Sequence, residues 1–242
     1  MGFGLSIDLE AEEKRSSGFA GFVGSLMLFM AFFAMAWASL DPTTDVRMVM
    51  AYSFIYLGGF VLSLGFGFKL SRRVDMKSEM TSVMLGITTG FIVLSVMMLL
   101  MFFGTTFATN ESVAFALLAP VAETMAFVIA PYHLFRYNFP EAHWLSIAIP
   151  ANVIFSIFHF YRYFAQPNFI LIWIILVVGN TFFVYIYHLT KNATSVMIAH
   201  FIVNLASSTE PVINFLIVYA PLFIVMFMVF AFIFYVIGGQ RK

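Results

Sequence analysis

The sequence predicts an all-α fold, a polytopic transmembrane bundle of about eight helices. Three observations carry this expectation. Of the 242 residues, 62% are hydrophobic and only 10% charged. The mean hydropathy is +0.97. Apolar runs of membrane-spanning length recur from Phe19 to Ile237. A water-soluble surface cannot be built from that composition. The longest polar stretches, Met1 to Gly18 and Lys69 to Lys77, have the size of a tail and a loop. The expected organisation is a cytoplasmic tail over 1–18, one transmembrane domain over 19–237 and a cytoplasmic tail over 238–242.

A helix satisfies its own backbone and rises ~1.5 Å per residue, so about 20 apolar residues cross ~30 Å of hydrocarbon. The runs that qualify are Phe19 to Leu40, Met48 to Phe68, Met80 to Phe103, Ser112 to Phe135, Trp144 to Phe164, Phe169 to Leu189, Thr194 to about Ser208, and Val212 to Ile237. The last two form one apolar stretch broken at Glu210-Pro211 and again at Tyr219 to Pro221, and either break gives eight helices, because proline removes a backbone donor and favours a boundary. With the N-terminus inside, Lys14, Arg15, Lys69, Arg72, Arg73, Lys77, Arg136, Lys191, Arg241 and Lys242 face the cytoplasm, leaving only Arg47 and Arg162 outside. Basic residues are retained on the cytoplasmic side, so both termini are expected there. Tyr137, Trp144, Tyr187 and His188, near span ends, fit interfacial anchors.

Composition also excludes function classes. Formal net charge is zero, which removes the basic face that nucleic acid requires. The absence of cysteine removes disulfides, a thiolate nucleophile and Cys-based zinc sites. The expected surroundings are a lipid bilayer.

The informative residues are the polar ones inside apolar spans. An ionisable group near the bilayer centre costs at least ~2.5 kcal/mol on insertion scales, so each needs a local reason. The surroundings of Glu123, namely Leu117, Leu118, Val121, Met125 and Phe127, offer it no partner in sequence. His159 closes the segment Phe155-Ser-Ile-Phe-His159. His200 and Asn204 lie four residues apart, on one helix face, where an imidazole and an amide can both donate into one cavity. A carboxylate that can take a proton from water, a histidine beside it and donors for a developing negative charge together make a hydrolytic site. Asn152, Asn180 and Asn214 are adequately explained by hydrogen bonds between helices.

From Pro120 to Asn204 the chain resembles the CAAX protease and bacteriocin-processing enzyme family, which includes the type II prenyl-protein endopeptidases and the Abi proteins. Pro120-Val-Ala-Glu123-Thr124-Met-Ala-Phe127-Val128 resembles the family's Glu-Glu-x-x-Phe-Arg segment. Phe155 to His159 is similar to its Phe-x-x-x-His motif, and His200 to Asn204 to its His-x-x-x-Asn motif. Lys191-Asn-Ala-Thr-Ser195 is similar to the polar turn before that last helix. The resemblance implies a peptidase-like core at about 112–208 and a glutamate-dependent intramembrane peptidase without a bound cofactor or metal, in a cell membrane of prokaryotic type. Its implied substrate is a membrane-associated or prenylated peptide or protein. Glu123 would be the general base, His159 would help hold the attacking water, and His200 with Asn204 would form the oxyanion site.

Two positions depart from the family pattern, Thr124 for its second glutamate and Val128 for its arginine. They fit a simplified active site or a scaffold that binds a membrane protein or peptide without cutting it. A small proton-coupled transporter using Glu123 is a third reading, weakened because no inverted repeat or continuous polar stripe stands out. The span ends also put His159 toward the outer end of its helix and His200 toward the inner end of its own. Span ends shifted by several residues, or bends at Pro120, Pro131 and Pro150, would close that gap.

The topology is testable because the chain has no native cysteine. Single cysteines introduced at Ser16 and Lys242 are expected to be labelled by an impermeant reagent from the same, cytoplasmic side. Labelling from opposite sides refutes the arrangement.

Overall fold

The computed structural model describes residues 9–39, 45–68, 76–101, 113–163 and 168–208. Over these the protein is a bundle of helices. They are α1 (Leu9–Ser39), α2 (Asp45–Gly65), α3 (Met76–Met101), α4 (Val113–Glu123), a π-helical turn (Thr124–Ile129), α5 (Ala130–Asn138), α6 (Trp144–Tyr163), α7 (Phe169–Thr190) and α8 (Ala193–Ser208). Because α4, the π turn and α5 run on as one rod, the described residues form seven rods, each matching an expected span. The eighth expected span, Val212 to Ile237, and Asn214 lie outside the described residues. Five of the rods are long and apolar enough to cross a membrane, while α6 and α8 contribute shorter apolar segments, Trp144–Phe160 and Ala193–Asn204.

The rod containing Glu123 is the axis of the bundle. Its apolar stretch Leu118–Asn138 is 72% buried, against 22% for Ser17–Trp37 and 39% for the other long spans. One apolar cluster, containing Ala31, Ile55, Ala122 and Phe127, joins α1, α2, α4 and the π turn. A second, containing Val93, Val128, Ile147, Val184 and Val196, joins α3, the π turn, α6, α7 and α8. Large apolar side chains such as Phe19, Phe29, Ile149 and Ile170 cover the outside, as a lipid-facing surface requires.

Between apolar helices in lipid, close packing and buried hydrogen bonds supply the specificity that the hydrophobic effect supplies in water. Gly59 on α2 lies directly against the π turn, where a Cβ would stand 2.5 Å from the Ala126 nitrogen. Gly86 and Gly90 on α3 do the same for α8. A Cβ at Gly86 would stand 2.5 Å from the Ser195 carbonyl oxygen, and one at Gly90 would stand 3.0 Å from that of Ala199. The asparagines behave as expected of helix glue. Asn180 donates to Asn152 Oδ1 at 2.9 Å, and Asn152 Nδ2 donates to Thr181 Oγ1 at 2.7 Å, clamping α6 to α7.

Helix ends have identifiable causes. Pro140 stands just beyond the last residue of α5. Lys191 takes the left-handed conformation, φ 51°, at the end of α7, and its N–H reaches the Tyr187 carbonyl. Asn192 then caps α8 by accepting from the Thr194 N–H at 2.9 Å. The polar turn noted in the sequence is therefore a stop and a start in five residues. Tyr187 corrects one expectation: it does not face the interface but is 1% exposed, its hydroxyl 2.7 Å from His133 Nε2.

Gly59→Ala should cost about 1–3 kcal/mol, because the added methyl meets backbone rather than a side chain that can turn away. Gly18→Ala on α1, with nothing within 4 Å of the new methyl, should be neutral or stabilising by up to about 1 kcal/mol. Unfolding in detergent compares the two. Equal effects would contradict the close contact at Gly59.

Candidate active site

Glu123 ends α4 just where the backbone departs from α-helical geometry. Pro120 has no N–H to give to the preceding turn, and Pro131 cannot donate to the Phe127 carbonyl, which its ring also pushes aside. The chain between them relaxes into a π turn, with the Ala130 N–H bonded five residues back to the Met125 carbonyl. Such turns insert one extra residue and recur at functional sites. Here all six residues of the turn are buried.

Glu123 is 6% exposed, and three side chains from three other helices approach its carboxyl. The Tyr52 hydroxyl on α2 donates to Oε1 at 3.2 Å. His159 Nε2 on α6 lies 3.7 Å from Oε2, and His200 Nε2 on α8 lies 3.4 Å from the same oxygen. His159 Nδ1 stands 2.8 Å from the Phe155 carbonyl oxygen. A carbonyl can only accept, so Nδ1 carries the hydrogen, and Nε2 of the neutral ring turns a lone pair toward the site. The His200 ring packs on Phe183, and its Nδ1 is buried without a hydrogen-bond partner. At 3.4 and 3.7 Å the two imidazole contacts are longer than the ~2.7–2.9 Å of a charge-assisted bond. No atom fits between nitrogen and oxygen at that separation, so an oxygen that reaches both needs room to one side.

That room is visible. A cavity of about 10 Å³ touches Glu123, His159 and Tyr52 and is otherwise walled by Met35, Ile55, Phe127 and Phe158. It is roughly the volume that admits one water. A larger groove of about 380 Å³ shares Tyr52 with that cavity and is otherwise lined by Val49, Ser53, Tyr56, Leu57, Leu118, Val121 and Ala122. Val49, Leu57, Leu118 and Val121 are exposed, so this groove opens on the apolar outer surface.

The structure removes the apparent mismatch in depth between the two histidines. Glu123 lies fifteen residues before the end of α5, and His159 fifteen residues after the start of α6. At ~1.5 Å per residue both stand roughly 22 Å from the turn that joins them. The α7–α8 turn does not sit level with that one. Tyr132 bonds His188 at 3.0 Å and also Lys191, while His133 bonds Tyr187, so the turn packs beside Tyr132, nine residues along from Glu123. From there His200, seven residues into α8, comes level with the carboxyl.

Asn204 lies one turn beyond His200 on the same helix and is half-buried. Thr124 is fully buried with its hydroxyl unpartnered, and Val128 belongs to the apolar core. An arginine at 128 would need an anion that position 124 no longer supplies, so the two departures are consistent with each other. Sequence reasoning missed Tyr52. It falls four residues into an expected span, where aromatic anchors are ordinary, and no sequence signal sets it apart. Among the described residues no group of three or more His, Asp or Glu side chains is arranged to hold a metal ion.

Residues 106–206 match the family described as Type II CAAX prenyl endopeptidase Rce1-like. The matched stretch contains Glu123, His159, His200 and Asn204, and it bears out the family resemblance drawn from the three motifs. No curated protein and no solved structure matches the chain.

Tyr52→Phe removes the hydroxyl and keeps the ring, so it should cost about 0.5–1.5 kcal/mol of stability, the net worth of a typical hydrogen bond. Unfolding in detergent measures it. No loss would mean that Tyr52 does not support the carboxyl.

Proposed function

We propose that this protein is an intramembrane, glutamate-dependent endopeptidase that cuts a membrane-associated peptide. The observation that carries the reading is the approach of both imidazole Nε2 atoms to one oxygen of a buried carboxyl, beside a cavity of water size. The family match over 106–206 supports the same reaction class.

In the proposed reaction one water sits in the cavity lined by both Glu123 and His159 and reaches each of them from there. Glu123 takes its proton as the oxygen attacks the peptide carbonyl carbon, and His159 orients the water through the Nε2 lone pair. Negative charge collects on the former carbonyl oxygen, where His200 and Asn204 supply donors. Collapse breaks the C–N bond, and the proton held by Glu123 passes to the leaving amine. The products are a new carboxyl and a new amino terminus. Glu123 serves as base in one half and acid in the other, and no step calls for a metal or cofactor. The groove beside Tyr52 is the proposed seat of the substrate's apolar portion, since it has exposed apolar walls and shares Tyr52 with the water-sized cavity.

A second reading is a non-cleaving scaffold of the same fold. Thr124 and Val128 favour it, because both family charges next to Glu123 are replaced by buried uncharged side chains.

The test is cleavage of a panel of prenylated and unprenylated membrane-anchored peptides by the purified protein. Glu123→Gln should abolish cleavage with the fold intact, since glutamine keeps the shape but cannot take a proton from water. Asn204→Ala should lower kcat by roughly 10²–10³, the usual cost of an oxyanion donor. Thr124→Ala should matter less, and wild-type activity should survive a strong chelator. No cleavage by the wild-type protein, with the same partners retained by Glu123→Gln, would favour the scaffold and defeat the peptidase.

A further inference from the structure

A second polar cluster lies outside the Glu123 site, where α5 and α7 end. Its centre is the Tyr132 hydroxyl, on a side chain that is 3% exposed. Arg136 Nε reaches this oxygen at 3.4 Å, Lys191 Nζ is hydrogen-bonded to it, and His188 Nδ1 lies 3.0 Å away. One consistent assignment follows from the donor inventory. The hydroxyl accepts from both cations and donates its own hydrogen to the imidazole, which leaves it saturated. Arg136 also donates to the Pro140 carbonyl, and the ammonium of Lys191 stands 4.2 Å over the Tyr132 ring.

Among the described residues neither cation meets a carboxylate. Glu79, which reaches the same turn from α3, instead accepts from Asn192 Nδ2 at 2.6 Å. Two positive charges thus converge on one neutral oxygen. A guanidinium carries five N–H groups and an ammonium three, so several donors remain unspent. Helix C-termini favour a nearby cation, which accounts for one basic residue at the end of each helix. It does not account for their convergence.

We infer that Arg136 and Lys191, held by Tyr132, form a binding site for the phosphate of an anionic phospholipid headgroup. The candidate spans end at Asn138 and Thr190, so the cluster lies at a membrane end, where headgroups are found. The two cations offer bidentate and point-charge contacts that a phosphate matches. Occupation would brace the α7–α8 turn, which brings His200 level with Glu123. The site itself does not depend on whether the protein cuts peptides.

The full chain in neutral detergent is titrated with short-chain phosphatidylglycerol, phosphatidylcholine of the same chain length, and inorganic phosphate, and the unfolding midpoint is followed. Phosphatidylglycerol should raise the midpoint at concentrations where phosphatidylcholine does not. Arg136→Gln and Lys191→Gln should each weaken its apparent affinity about fivefold. Arg47→Gln, whose guanidinium lies over Trp37 instead, should leave it unchanged. A full response to inorganic phosphate alone would replace the lipid with a free phosphate ester and overturn the headgroup assignment. An equal response to phosphatidylglycerol in wild type and both Gln variants, or none in the wild type, would overturn the site. If one variant fails to fold, the other still decides.

Discussion

A carboxyl group held out of water in an apolar bundle is the constraint on which the rest of this structure depends. Such a group is costly in lipid, and it persists only where neighbouring helices bring polar atoms to it. Glu123 draws Tyr52 from α2, His159 from α6 and His200 from α8. Its own rod is consequently the most enclosed in the bundle, and the two apolar clusters meet on either side of it. The widened turn after Glu123 belongs to the same arrangement, since Pro131 leaves the Phe127 carbonyl without its α-helical donor.

Convergence of three helices on one carboxyl demands that each be set at the right depth, and the devices that do so lie away from the carboxyl. Equal arms of α5 and α6 bring His159 level with Glu123. The Tyr132 and His133 contacts carry the α7–α8 turn to a different level, which brings His200 into register. Gly86 and Gly90 let α3 lie directly on α8 one turn before and beside His200, and Gly59 lets α2 lie on the π turn. Each is a packing contact with a consequence at the site. A methyl at any of them acts on the carboxyl through helix position rather than through chemistry.

Much of this was legible in the sequence. Span length and hydropathy fix where helices form in lipid, because the bilayer thickness sets one narrow length scale. The pairs Phe155–His159 and His200–Asn204 were readable because helical periodicity places such residues on one face. What was not readable involves distance between helices. Tyr52 meets Glu123 only because Gly59 admits the π turn, seven residues further along α2. The depths of His159 and His200, counted from span ends, pointed apart, since span counting takes the α5–α6 and α7–α8 turns to lie level with each other. The α7–α8 turn is instead tied to Tyr132. Tyr187 was misread for the same reason: a residue near a span end need not face the interface when its helix end packs against another rod.

The central claim is that Glu123 and His159 hold one water in an otherwise apolar interior. The most direct measurement is an experimental structure in a lipid environment at a resolution that shows ordered water. The account predicts a single water within hydrogen-bonding distance of both a Glu123 carboxyl oxygen and His159 Nε2, with His200 on the same carboxyl. A dry cavity, or a carboxyl turned away from both histidines, would contradict it.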